Sequence, residues 1–152
     1  MEYSLLTAFQ KAKHYCAYQE RCHMEVRDKL YSFRLYRNQV EQLLTQLIEE
    51  DYLNEERFAI AYAGGKFRMK QWGKEKIKYA LKQKRVSDYC IRKSLAAISN
   101  SDYNKTFLSL ANKKLLTLKS EKNIFIKKKK LKDYLQQKGF ELKLINDYIK
   151  EL

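Results

Sequence analysis

The chain has 152 residues, 45% of them hydrophobic, with no proline and four glycines. That length accommodates one ordinary domain or a short array of small units, and the scarcity of turn residues argues against a sheet built on tight hairpins. A formal net charge of +14 and a pI near 9.6 point to a polyanionic partner, while three cysteines are too few for a disulfide scaffold. No stretch approaches the ~18 uninterrupted apolar residues of a membrane span, and the N-terminal residues lack a basic region followed by an apolar core. A cytoplasmic setting without membrane contact is expected.

Taken from the N-terminus, Leu5, Ala8, Ala12 and Tyr15 follow a loose helical rhythm. Val26, Leu30, Leu35, Val40 and Leu44 then advance by steps of four, five, five and four. A step of four keeps one helix face inward, and a step of five resets the phase across a turn, so the stretch predicts helix, short turn and helix. Phe58, Ala61, Tyr62, Gly65 and Met69 form the next inward stripe. WGKEKIKYALKQKRVSDYCIRKSL (72–95) repeats the stepped pattern with Ile77, Leu81, Val86, Ile91 and Leu95, and Ser87 is a candidate N-cap. Ile98-Ser99-Asn100-Ser101-Asp102 reads as a linker able to cap the following helix. Tyr103, Phe107, Leu110, Ala111, Leu115 and Leu118 mark that helix. Leu131, Leu135, Phe140, Ile145 and Ile149 give the pattern a third time.

The anchors Leu30, Leu81 and Leu135 lie 51 and 54 residues apart. The expected fold is therefore all-α: three tandem three-helix modules, about nine helices, at 1–53, 54–100 and 101–152. A unit of ~50 residues buries little apolar surface alone, so the modules are expected to stack into an elongated, curved array.

Charge is distributed unevenly. Module one carries seven Lys and Arg against eight acids; module two has twelve against four, and module three thirteen against six. In the shared register Lys74, Lys76 and Lys78 fall opposite Lys128, Lys130 and Lys132, where module one has His23, Glu25 and Arg27. These six lysines, with Lys66, Arg68 and Lys70 just before them, are the candidate contacts to phosphate or to acidic protein. A solvated helix face is the competing reading of any one lysine run.

Catalytic and metal signals are weak. Cys16 and Cys22, six residues apart, would be turned about 240° from each other on one helix, and no second metal-spaced pair joins His14 or His23. Gly64-Gly65 precedes no Gly-Lys-Ser/Thr and suits close helix packing better than a phosphate loop. Neither an enzymatic activity nor a cofactor is expected.

YLNEERFAIAY (52–62), followed by WGKEKIKYALKQKRVS (72–87), resembles the RecX family of recombinase regulators. The residues that carry the resemblance are Leu53, Glu55, Glu56, Arg57, Phe58 and Ala59, then Gly73, Lys74, Ile77, Leu81, Lys84 and Val86. In the first module Ala8, Tyr18, Arg21, Glu25, Val26, Lys29 and Leu30 match the family's opening. Lys138-Gly139-Phe140 keeps the family's Lys-Gly-apolar turn, whereas Arg85 replaces the turn glycine in module two and Phe33-Arg34-Leu35 departs from it in module one. The resemblance implies a cytoplasmic, non-enzymatic regulator that binds the RecA–single-stranded DNA filament and damps its ATP hydrolysis and strand exchange. A monomer is expected. Charge and periodicity alone leave open a stand-alone nucleic-acid-binding repeat protein or a helical scaffold for another partner.

Overall fold

A computed structural model describes residues 4–152. Among these residues there are nine helices and no strand: α1 (Leu5–Tyr18), α2 (His23–Tyr31), α3 (Arg37–Glu49), α4 (Glu55–Lys70), α5 (Lys74–Gln83), α6 (Asp88–Ala96), α7 (Asn100–Thr117), α8 (Ile124–Lys138) and α9 (Leu142–Lys150). The all-α expectation is met, in tandem groups of three.

Most helix starts are specified by residues beside them. Ser4 caps α1 by accepting from Thr7 N–H at 3.1 Å. Cys22 N–H donates to the Glu25 carboxylate at the start of α2, and Tyr36 N–H to Gln39 at the start of α3. Asn54 accepts from Arg57 N–H, Ser87 from Cys90 N–H, Ser99 from Asp102 N–H, and Asn123 from Phe125 and Ile126 N–H. Each supplies an acceptor to an amide that has no partner within its helix.

The repeated spacing acquires a physical meaning at the turns. Val86 N–H donates to Leu81 C=O at 3.1 Å and Arg85 N–H to Lys82 C=O; Phe140 N–H donates to Leu135 C=O at 3.2 Å and Gly139 N–H to Gln136 C=O. These are Schellman closures, so in the second and third repeats the first step of five is the six-to-one hydrogen bond that ends a helix; in the first repeat the turn is closed by Phe33 N–H to Leu30 C=O and Arg34 N–H to Tyr31 C=O. The second step of five joins the residue before the N-cap to the fourth residue of the next helix, the two positions of a hydrophobic staple: Leu35 and Val40, Val86 and Ile91, Phe140 and Ile145. All six are buried. Of the fifteen patterned positions, only Leu95 and Ile149 are half-buried instead.

The chain divides into two units, Met1–Tyr62 with Leu81–Ser94 and Ala63–Ala80 with Leu95–Leu152; α4, α5 and α6 each contribute to both. In the first unit α1 packs on α2 and α3 around Ala8, Phe9, Ala12, Val26, Leu30, Val40, Leu43, Leu44, Leu47 and Leu53. In the second, α8 packs on α7 and α9, and an aromatic chain runs from Phe67 to Tyr103, Phe140, Phe107 and Tyr148, with ring centroids 5.2–5.8 Å apart.

Three expectations are corrected. The inward residues of α4 are Phe58, Ala59, Ala63 and Phe67, while Ala61 is exposed and Met69 is 83% exposed. Met69 stands two residues beyond Phe67, about 200° around the helix, and the small alanines set the buried phase. Gly64-Gly65 does not mediate helix packing. A Cβ on Gly65 would meet nothing within 4 Å, and one on Gly64 would meet only the flexible Arg68 guanidinium at 2.7 Å. Finally, Cys16 lies in α1 and Cys22 before α2, so a single-helix argument does not apply to them; both thiols are buried and raised to about 11 by that burial.

Candidate nucleic-acid interface

The start of α5 has no cap of its own. Gly73 N–H donates to Lys138 C=O at 2.8 Å, Lys74 N–H to the Tyr103 hydroxyl at 2.9 Å, and Glu75 N–H to Gly139 C=O at 2.9 Å. Three consecutive amides, which at a free helix start would attract an anion, are already occupied. Gly73-Lys74 is therefore a docking point for the α8–α9 turn rather than a phosphate cradle. The approach requires both glycines: a Cβ on Gly73 would lie 2.3 Å from Gly139 C, and one on Gly139 would lie 2.2 Å from Lys76 Cβ. Tyr103, 4% exposed, donates in turn to the Glu141 carboxylate. Burial first, and then that bond, push the phenol well above its ordinary range.

The candidate lysines do not share one face. Residues two apart on a helix lie ~200° around its axis, so Lys74 and Lys78 share a side of α5 that Lys76 does not. On α8, Lys128 and Lys132 likewise share a side that Lys130 does not. Lys130 lies 3.8 Å from Glu121, and Lys129, 3.3 Å from Asp133, is a neighbouring pair. Lys74 Nζ sits 4.8 Å from the centre of the Tyr103 ring, and Lys78 is exposed.

A tighter grouping forms around Trp72. Lys66 Nζ is 5.0 Å and Lys76 Nζ 4.7 Å from its ring centre, within cation–π range. Lys76 also donates to Gln137 C=O at 3.4 Å, and Lys138 donates to Lys70 C=O at 3.2 Å. Lys66 of α4 and Lys76 of α5 thus meet on one tryptophan ring, and the Lys138 ammonium at the end of α8 reaches the last carbonyl of α4. Lys70, Lys76 and Lys138 make no ion pair among the described residues. Lys138 and Trp72 were not singled out as contacts from sequence; a lone tryptophan beside Gly-Lys was the available signal. Arg68 remains exposed, folded over Gly64.

The residues of the 53–59 motif hold the scaffold. Leu53, Phe58 and Ala59 are buried, as are Ile77 and Leu81. Arg57 pairs with Glu20 at 2.6 Å and with Asp51 at 3.1 Å, and donates to Asp51 C=O at 3.0 Å. It ties the start of α4 to the turns before α2 and before α4. Glu55 accepts from Ser87 N–H at 2.7 Å and lies 3.6 Å from His23 Nδ1. Burial pushes the Glu55 carboxyl up, but the Ser87 bond and His23 together outweigh it and leave it below the usual range. Burial lowers His23. Glu56 is half-buried. Among the described residues no group of three or more His, Cys, Asp or Glu is placed to hold a metal, and no helix is long and apolar enough to cross a membrane.

Comparison with known proteins gives a consistent result. Residues 54–95 match the model of the second three-helix domain of RecX, and residues 101–149 the model of the third; together they take in more than half of the chain. The regulatory protein RecX of Clostridium perfringens is 33% identical over 129 residues, which are 84% of this chain and 60% of that protein. The Bacillus licheniformis regulatory protein RecX is 29% identical over 145 residues, 94% of this chain and 54% of that protein. This chain thus spans somewhat more than half the length of these curated relatives. The crystal structure of RecX from Lactobacillus salivarius superposes with a TM-score of 0.86 at 27% identity, covering 97% of this chain and 96% of that one.

Proposed function

The chain belongs to the RecX family, and from that premise we propose that it is a non-enzymatic, cytoplasmic regulator that binds the RecA–single-stranded DNA filament and restrains its ATP hydrolysis and strand exchange. The observation that carries the reading is the basic group around Trp72, joined to the family resemblance. Lys66 and Lys76 set two positive charges on the Trp72 ring, and Lys138 adds a third at the end of α4, a grouping suited to phosphate or to acidic protein groups, to which Lys70 is a further candidate contact. Lys74, Lys78, Lys128 and Lys132 extend that charge along two helix faces, with Arg68 and Lys130 as peripheral contacts. The modules 1–53, 54–100 and 101–152 act as successive contact units of a monomer that needs no cofactor.

The test measures binding to three targets: bare single-stranded DNA, recombinase alone and the assembled filament. It is paired with the recombinase's DNA-dependent ATPase. Tightest binding to the filament with a fall in ATPase is expected. Equal affinity for bare DNA and filament, with the ATPase untouched, would favour a stand-alone nucleic-acid-binding protein instead.

A further inference from the structure

The first unit contains an open cleft of about 720 Å³ lined by residues of α1, α2 and the turns that follow them, Lys11, His14, Tyr15, Tyr18, Arg21 and Lys29 among them. Module one carries slightly more acids than bases in total, yet no carboxylate lines this cleft. Lys11, His14, Tyr15 and Tyr18 are spaced three, one and three residues apart, which places them on one face of α1. The Arg21 guanidinium lies 3.8 Å from the Tyr15 ring centre and 6.0 Å from that of Tyr18, and its Nε donates to Tyr15 C=O at 3.1 Å. Lys29 Nζ lies 5.3 Å from the Tyr15 ring centre. Arg21 and Lys29 make no ion pair among the described residues. Tyr18 is 78% exposed.

We propose that this cleft binds single-stranded nucleic acid, with Tyr18 as the platform for a base and Lys11, Arg21 and Lys29 as partners of the flanking phosphates. Each nucleotide brings an aromatic face and an anion a short distance apart, and the cleft offers a ring and cations at matching distances. An acidic peptide would engage the charges but leave the Tyr18 ring in water. The inference deepens the proposed function by naming where a strand sits, and it places that contact on the module whose overall charge argues least for it.

The test uses the full chain and a fluorescein-labelled oligothymidylate, with binding read by anisotropy over a salt series. Base–aromatic stacking of this kind is worth roughly a fivefold to hundredfold change in affinity, so Tyr18→Ala should weaken binding within that range and Tyr18→Phe should restore it. Lys11→Gln with Lys29→Gln should reduce the slope of log affinity against log salt by about 1.4, at roughly 0.7 per phosphate contact. Parental affinity and slope in these variants would overturn the proposal. So would displacement of the oligonucleotide by polyglutamate as readily as by unlabelled strand, which would assign the cleft to acidic protein. Should Tyr18→Ala melt early, photocrosslinking of the parent to an iodouracil-containing strand decides instead: an adduct on the Tyr18 peptide supports the site, and adducts only elsewhere overturn it. A parent that suppresses the recombinase ATPase without binding bare strand would overturn the cleft while leaving the regulatory function intact.

Discussion

Gly73 and Gly139, 66 positions apart in the chain, meet backbone to backbone: Gly73 N–H donates to the carbonyl just before Gly139, and Glu75 N–H donates to Gly139 itself. Neither glycine has room for a Cβ. Gly73→Ala should therefore destabilise the second unit by ~1–3 kcal/mol, the usual cost of forcing extra atoms into a packed site. Gly65→Ala, in open space inside α4, should instead stabilise by up to ~1 kcal/mol. Chemical denaturation of the two variants checks both signs, and equal shifts would contradict the packing.

Arg34 and Arg85 hold φ values of 61° and 60°, the left-handed region that Gly139 occupies at 97°. All three stand four residues after a repeat anchor. The turn keeps its backbone even where the glycine is absent, at a cost of ~1–2 kcal/mol for a side-chain-bearing residue. Arg85→Gly should recover part of that cost and raise stability by ~0.5–1 kcal/mol, offset by the greater freedom of glycine in the unfolded chain. A lowered melting temperature would show that the arginine side chain contributes more than its backbone strain removes.

Leu81 is fully buried and Lys82 exposed. Leu81→Ala should cost ~2–5 kcal/mol, the range for a buried leucine, and Lys82→Ala less than ~0.5 kcal/mol. Paired denaturant titrations test the contrast.

Acid should unfold the first unit in two windows. His23 titrates below its ordinary 6.5 when folded, so the unfolded chain takes up its proton first, and stability is lost as pH falls from that value through the folded one. Glu55 is lowered from 4.5 and contributes stability above that pH, lost as pH falls through its folded value. Melting temperature measured from pH 7 to pH 3 should decline in both windows. His23→Gln should flatten the upper one and Glu55→Gln the lower.

Replacing Lys74, Lys76, Lys78, Lys128, Lys130 and Lys132 with Gln should leave the fold intact, since Gln and Lys have similar helix propensity. Filament binding should weaken. If all six met single-strand phosphates, the salt slope would fall by about four; contact with acidic protein would change it less. The same slope and undiminished ATPase suppression would mark these lysines as a solvated face.

Local chemistry determined a great deal of this molecule from sequence. The three stepped patterns located helix, turn and helix because each step is a short-range event: a step of four keeps one helix face inward, and a step of five spans a helix-ending turn or a hydrophobic staple. Ser87 was recognisable as a cap for the same reason, and the 98–102 stretch as able to cap the next helix, although α7 already begins at Asn100 and Ser99 alone is its N-cap. The folding partners of Gly73, the buried phase of α4, and the meeting of Lys66 and Lys76 on the Trp72 ring were decided only by tertiary structure. They depend on segments tens of residues apart, and no periodicity within one helix records which backbone will approach it. The candidate lysine strip shows the limit most plainly. Register placed equivalent residues correctly along α5 and α8, but a helix turns ~200° every two residues, and that rotation sends Lys74 and Lys76 to different surroundings.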